Sequence, residues 1–337
     1  MTRRGGRADP RPARPPLTSE APAPPRSTPV ATPSTTAAAA ASTARRSRRG
    51  ALVLFLAPFF VLFAVVIVAP VAYAGWMSLF REQSSGLGFG GVERSFAGLA
   101  NYSAVLADPA FRTSFLHVAA YCLVYIPVLI GGALGLALLV DSAHARARRF
   151  FQLAFFLPHA VPGLIAALIW IYLYTPGLSP VIDWIDAAGG SWNFFSPANS
   201  LSSMVNIAVW QWIGYNLVIF FAALQAVPRE VIEAATVDGA GAWRIALRIK
   251  VPIIRSSVVM TVLFTCVGAI QLFTEPRLLS DKAQALGNDW SPTMYIVSKA
   301  FIDQDYASAA AASLLLALVA GALSFLVTRI GKRWQES

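Results

Sequence analysis

Polar side chains inside apolar helices are costly in lipid, so where they recur at helical spacing they mark a place that meets water or a solute. In the segment 256 to 280, Thr261, Thr265, Gly268, Gln271 and Glu275 recur at spacings of four, three, three and four, which sets them on one helix face. In the segment 202 to 224, Trp212, Tyr215 and Asn216 share a face, with Asn206 and Trp210 on a neighbouring one. Amides and carboxylates bind hydroxyls, and aromatic rings lie against flat C–H faces. Trp212, Tyr215, Asn216, Gln271 and Glu275 are therefore the candidate lining of a path for a sugar-like solute. The same residue types also serve interhelical packing, and Trp and Tyr near span ends serve as interface anchors.

No catalytic constellation accompanies them. His117, His144 and His159 fall in an apolar span, a basic loop and a proline-kinked helix, without the spacing of a metal site or a triad. Cys122 and Cys266 both lie in apolar spans and read as small core residues, neither a disulfide nor a metal pair. No glycine-rich loop is followed by Lys and Ser or Thr, so the chain is expected to be no enzyme, to need no cofactor and to leave ATP hydrolysis to another subunit.

The elements that hold these residues are membrane spans. The chain has 337 residues, 56% of them hydrophobic and 13% charged, with a mean hydropathy of +0.58, which is far more apolar than a soluble domain of that size requires. At 1.5 Å per residue a hydrocarbon core of about 30 Å needs roughly 20 residues. Six segments meet or approach that length, near 52 to 80, 113 to 140, 150 to 174, 202 to 224, 256 to 280 and 306 to 328. The fold class expected is all-α, a six-span polytopic membrane protein.

A net charge of +10 raises the question of a nucleic-acid partner, but location answers it. Ten arginines precede residue 51, and the other basic residues gather in the loops 141 to 149 and 225 to 255 and after residue 328. That alternation is the positive-inside pattern: both termini in the cytoplasm, the protein in the cell membrane, and no nucleic acid. Residues 1 to 50, rich in Pro, Ala, Ser, Thr and Arg, cannot bury enough surface to order themselves and read as a disordered tail. The run after Ser47-Arg48-Arg49 is too long for a signal-peptide core and reads as an uncleaved first span. The domain expected is 51 to 330, with a short tail, 331 to 337.

One polar stretch between spans, 228 to 252, has its own pattern. Pro228 opens a helix with Val231, Ala234 and Ala235 on its apolar face, and Gly239 breaks it. A second helix runs from about Trp243 to Ile249, with Trp243, Leu247 and Val251 on one side and Arg244, Arg248 and Lys250 on the other, ending at Pro252. Glu233-Ala234-Ala235, three residues, Gly239, nine residues, Ile249, one residue, then Val251-Pro252 resembles the EAA loop in permease subunits of binding-protein-dependent ABC importers. Val251 stands where that family usually has Leu.

Three further stretches resemble the sugar-uptake branch: Phe155-Phe156-Leu157-Pro158 with Pro162 and Trp170, Trp210 to Asn216 leading to Leu224 to Pro228, and Gln271 to Pro276. After Pro276 the branch often has an aromatic residue, Leu-Thr and a glycine run, where this chain has Arg277, Leu278, Leu279 and Ser280. The resemblance spans about 51 to 330. It implies a subunit that pairs with a second homologous permease, an ABC ATPase dimer and an extracytoplasmic solute-binding protein to import a sugar or polyol. It further implies that Glu233, Ala234, Ala235 and Gly239 form the ATPase-docking core, flanked by Asp238, Ala240 and Trp243. The alternative from another class, an ion-driven secondary transporter, calls for buried mid-membrane carboxylates and internal repeats.

Overall fold

The computed structural model describes residues 53–84, 92–142, 147–283 and 286–336. The tail 1 to 50, with its expected disorder, lies outside them, as do His144 and Arg146. The chain divides into two compact units between Ala64 and Val65. Helix α1, Val53–Met77, carries no charge over its 25 residues and has a π-helical turn at Ala64–Val68.

After α1, where a loop was expected, the described residues form two strands. Strands β1, Phe80–Ser84, and β2, Val92–Phe96, pair antiparallel with Phe80 opposite Phe96, so the all-α expectation carries one two-stranded exception. Helix α2, Ala100–Ala107, secures the base of the hairpin, because buried Asn101 donates to the carbonyls of Ser78 at 2.8 Å and Phe80 at 2.7 Å.

Asp108 caps the next helix by accepting from the Ala110 N–H at 2.9 Å, and Pro109 occupies its first turn. That helix, α3, Pro109–Asp141, runs for 33 residues. The expected span 150 to 174 is instead two arms bent by 96°: α4, Arg148–Phe156, continued by a 3₁₀ turn at Leu157–Ala160, and α5, Gly163–Tyr174. Pro158 and Pro162 remove two N–H donors, and Pro162 pushes Val161 into an extended conformation. The Val161 carbonyl left without a helical partner accepts from Gln211 Nε2 at 2.9 Å.

Helix α6, Pro180–Ala187, is capped by the Ser179 hydroxyl, and α7, Ser200–Gln225, follows. Then come α8, Arg229–Val237, and α9, Ala242–Ile245, which runs on as a π turn, Ala246–Lys250, and a last turn, Val251–Ile253. Pro252 therefore sits in the first turn of a continuing helix, not at its end, and the break falls at Ile254. The fifth expected span is α10, Arg255–Ile270, and α11, Thr274–Ser280, separated at Gln271–Phe273. Helix α12, Pro292–Val297, precedes α13, Tyr306–Glu336, which carries the expected tail residues 331 to 336 as continuous helix. Among the described residues, five helices are long and apolar enough to cross a membrane, or six with the bent pair taken as one.

The centre of the larger unit is α3 packed along α7. Leu129, Ala133 and Ala137 of α3 meet Ile207, Leu217 and Phe220 of α7, all fully buried. Around this pair, α4 lies on α7, and α10 bridges α3 and α13. Leu116, Leu123, Leu139 and Leu318 stay exposed, as a lipid-facing surface requires.

Candidate functional site

All five residues expected to line a path border one cavity of about 480 Å³, walled by α3, α7, α10 and α11. Trp212 and Tyr215 enter from α7 with their rings 38% and 40% exposed, whereas Asn216, one turn below Trp212, is only 3% exposed. Asn216 donates its amide to the Trp212 carbonyl at 2.8 Å, which makes it a fixed floor and not a mobile arm. From α10, Thr261 and Thr265 donate their hydroxyls to the Ser257 and Thr261 carbonyls at 2.8 Å each, so toward the cavity they offer acceptors.

Gln271 lies at the break after α10, with its Nε2 3.5 Å from the Val267 carbonyl, too long to hold the amide firmly. Glu275, on α11, is 9% exposed and the sole carboxylate of the lining, which holds no Lys, Arg or His.

The lining also includes Tyr121 and Tyr125 of α3, stacked with centroids 5.0 Å apart, together with Phe264 and Phe273. Sequence reasoning missed the tyrosine pair, although a signal was present: two phenol groups four residues apart, well inside a long apolar span. Asn206 and Trp210 do not face this cavity. Asn206 donates to the Tyr174 hydroxyl at 2.8 Å beside a separate pocket containing Trp192 and Phe194, and Trp210 packs edge-on against Trp170.

The wall is braced from behind. The His159 ring, on the 3₁₀ turn, stacks on Tyr215 and meets Trp212 edge-on, each at a centroid distance of 4.7 Å. A Cβ on Gly214 would overlap the Phe155 carbonyl, so only glycine lets α7 approach the backbone of α4 this closely. The bend thus places His159 behind the rings, on the proline-kinked stretch where it was expected.

The loop 228 to 252 is the second candidate site. Gly239, with φ of +79°, ends α8 in a Schellman arrangement: the Ala240 N–H reaches the Ala235 carbonyl at 2.9 Å and the Gly239 N–H reaches Thr236 at 3.1 Å. Glu233, Ala234, Asp238 and Gly239 are exposed, Ala235 and Ala240 half-buried, and Trp243 is 76% exposed. Val231, Ala234 and Trp243 point outward, while Ile232 packs on the cluster holding Leu224, Val227 and Ile254, and Ile245 is buried. The larger β-branched side chains have taken the core positions. Lys250, expected on a face turned to water or a partner, turns inward to Asp141 of the same chain.

The described helices and these two sites define a membrane-embedded helical protein with a solute-sized cavity and an exposed, apolar-faced loop. Residues 129–336 match the family of binding-protein-dependent transport system inner membrane components, and the chain belongs to that family. It is 30% identical over 288 residues to the sn-glycerol-3-phosphate transport system permease protein UgpA of Salmonella choleraesuis, covering 84% of this chain and 93% of the relative. It is also 30% identical over 283 residues to the sulfoquinovosyl glycerol transport system permease protein SmoG of Agrobacterium fabrum, covering 82% and 88%. A solved bacterial ABC transporter that imports the acidic polysaccharide alginate has a chain of the same fold, with a TM-score of 0.73 at 18% identity over 85% of this chain and 96% of that one.

Proposed function

We propose that the chain is the permease subunit of an ATP-driven importer for a sugar or related polyol, delivered by an extracytoplasmic binding protein. The observation that carries this reading is the cavity, where Trp212, Tyr215, Tyr121 and Tyr125 offer ring faces and Asn216, Gln271 and Glu275 offer hydroxyl-binding groups. A lining with one carboxylate and no cationic side chain suits an uncharged solute, because a desolvated anion beside Glu275 would lack a counter-charge. Such a lining departs from what a phosphorylated solute such as that of UgpA would require. The ion-driven alternative is less well supported, since Glu275 stands without a second carboxylate in the lining.

In this reading both termini and the loop 228 to 252 lie in the cytoplasm, where the loop seats in a groove of an ABC ATPase, and a second homologous permease completes the path. Val237, 89% exposed, and Trp243 supply the apolar contact, with Glu233 as the charged one. Transport proceeds by alternating access: ATP closes the ATPase pair, the docked loops move together, and the cavity turns outward to receive solute.

Gly239→Val and Glu233→Lys test the docking. The first strains a backbone at positive φ by about 1 to 3 kcal/mol and adds bulk to the exposed face, and the second reverses its charge. Both variants should reach the membrane at wild-type levels yet lose ATPase co-purification and solute uptake. Wild-type coupling in both would sink the assignment.

A further inference from the structure

The docking reading explains why the loop faces outward; it leaves open how the loop is tied to the helices that wall the cavity. One side chain makes that connection. Asp141 is the last residue of α3, and its carboxylate accepts from Lys250 Nζ at 2.5 Å and from Gln225 Nε2 at 2.7 Å. Gln225 is the last residue of α7, and Lys250 closes the π turn that follows α9. Arg148, at the start of α4, donates to the backbone carbonyls of Asp141 and Ser142 at 3.3 and 2.7 Å. Four elements therefore meet at one residue.

The placement runs against local electrostatics. A carboxylate is disfavoured at a helix C-terminus, where unpaired carbonyls already concentrate negative charge, and Asp141 sits at the C-terminus of α3 while bonded to the last residue of α7. Its side chain is 9% exposed and that of Lys250 16%, so water does little to relieve the charge. A neutral residue would end α3 more comfortably. What the carboxylate adds is the tie to Lys250, 109 residues away in the chain.

Both helices so tied carry cavity residues, Tyr121 and Tyr125 on α3 and Trp212, Tyr215 and Asn216 on α7. We propose that Asp141 is a positioning residue, the strut through which movement of the docked loop reaches α3 and α7 and hence the cavity. This rests on the docking reading given above. Pulling on α9 moves Lys250, and the ion pair and the Gln225 bond carry that displacement to both helix ends at once. Without it, the loop would shift while the cavity walls lag.

The test uses the complete transporter, with its ATPase and binding protein, in proteoliposomes. Three variants are compared: Lys250→Met, Asp141→Asn with Lys250→Met, and the exchange Asp141→Lys with Lys250→Asp. Lys250→Met orphans a buried carboxylate and should be unstable, so its loss of uptake alone decides nothing about the strut. The double neutral variant removes the tie without leaving an unpaired charge. It should keep the ATPase bound and hydrolysing ATP while uptake per ATP falls about tenfold, the size of an ordinary coupling energy between sites. The exchange restores the pair and should restore most of that ratio. If the double neutral variant transports as many solutes per ATP as wild type, or if the exchange is no better than the double neutral variant, Asp141 is no strut. Absence of the ATPase from the wild-type complex is a distinct result: it removes the docking reading, and this inference with it.

Discussion

Around the cavity, helices approach until backbone touches backbone; along the loop 228 to 252, side chains are left outside. Two glycines mark the contrast. At Gly214 the obstacle to any side chain is space, because the Phe155 carbonyl occupies the Cβ position. At Gly239 a Cβ would meet nothing within 4 Å, and the obstacle is the backbone itself, held at φ of +79°. Of the polar groups in the cavity wall, Asn216, Thr261 and Thr265 make their hydrogen bonds within their own helices, whereas Val237 and Trp243 of the loop cover nothing. These polar groups of the wall are satisfied within this chain; the apolar side chains of the loop face stay exposed. A mutation in the wall should therefore be felt in the isolated subunit, and one in the loop mainly in the assembled transporter.

The largest effect expected is at Gly214. Gly214→Ala must displace α7 from α4, move the ring wall of Trp212 and Tyr215 off His159 and strain the core by an overpacking term of about 1 to 3 kcal/mol or more. Gly239→Ala faces only the left-handed penalty of about 1 kcal/mol. Heat denaturation of the purified permease in detergent should show a clear loss for the first and little for the second. Equal stability of the two would break the distinction between a wall limited by space and a loop limited by conformation.

A smaller effect is expected from the cavity-lining side chains proposed to meet solute. Trp212→Ala, Asn216→Ala and Gln271→Ala together remove one ring face and two amides from the cavity. Each lost hydrogen bond is worth about 0.5 to 1.5 kcal/mol, so each single change should lower uptake only several-fold. The triple variant should lower it further while the ATPase stays bound. Normal uptake by the triple variant would remove these residues from the path, and loss of the ATPase would show that wall and loop are not separable.

The contrast also bears on what could be read from the chain. The loop was legible because its signals are local: the helix ends at Gly239 through bonds from the Gly239 and Ala240 N–H groups to Thr236 and Ala235, and helical spacing places Glu233, Ala234 and Ala235 without reference to anything distant. Five spans were legible from hydropathy, since lipid leaves a backbone few alternatives. The spacing on α10 and α11 likewise gathered Gln271 and Glu275 on the face that became the cavity.

What failed depends on contacts through space. Two prolines announce a break, but the 96° bend is set where Gln211 takes up the Val161 carbonyl, from another helix. The side chain that packs the loop was not identified, because Val231 and Ile232 are both apolar neighbours, and only the cluster around Leu224, Val227 and Ile254 selects Ile232. Lys250 read as a cation facing water or a partner until Asp141 is seen opposite it.

The smallest effect concerns the far end of α3, where a polar cluster is completed within this chain, as the cavity wall is. Tyr295 donates to Asp108 Oδ2 at 2.8 Å, and Lys299 pairs with Asp303 at 3.0 Å and stands 4.0 Å from Asp108. These residues lie outside the candidate spans. The hydrogen bond to Asp303 raises the Lys299 pKa; burial, followed by the bond to Asp108, raises that of Tyr295. Both groups are protonated below their ordinary range of about 10, and a raised folded pKa gives a contribution fully present there and lost only as pH climbs through the higher folded values. The thermal stability contributed by this cluster should therefore be flat from about pH 6 to 9 and decline only above about 10. Lys299→Met should lower stability by a similar small amount at every pH in the flat range. A difference between Lys299→Met and wild type that changes between pH 6 and 8 would mean that a group other than Lys299 and Tyr295 titrates in the cluster, and that these two cannot account for the stability of this end of the bundle.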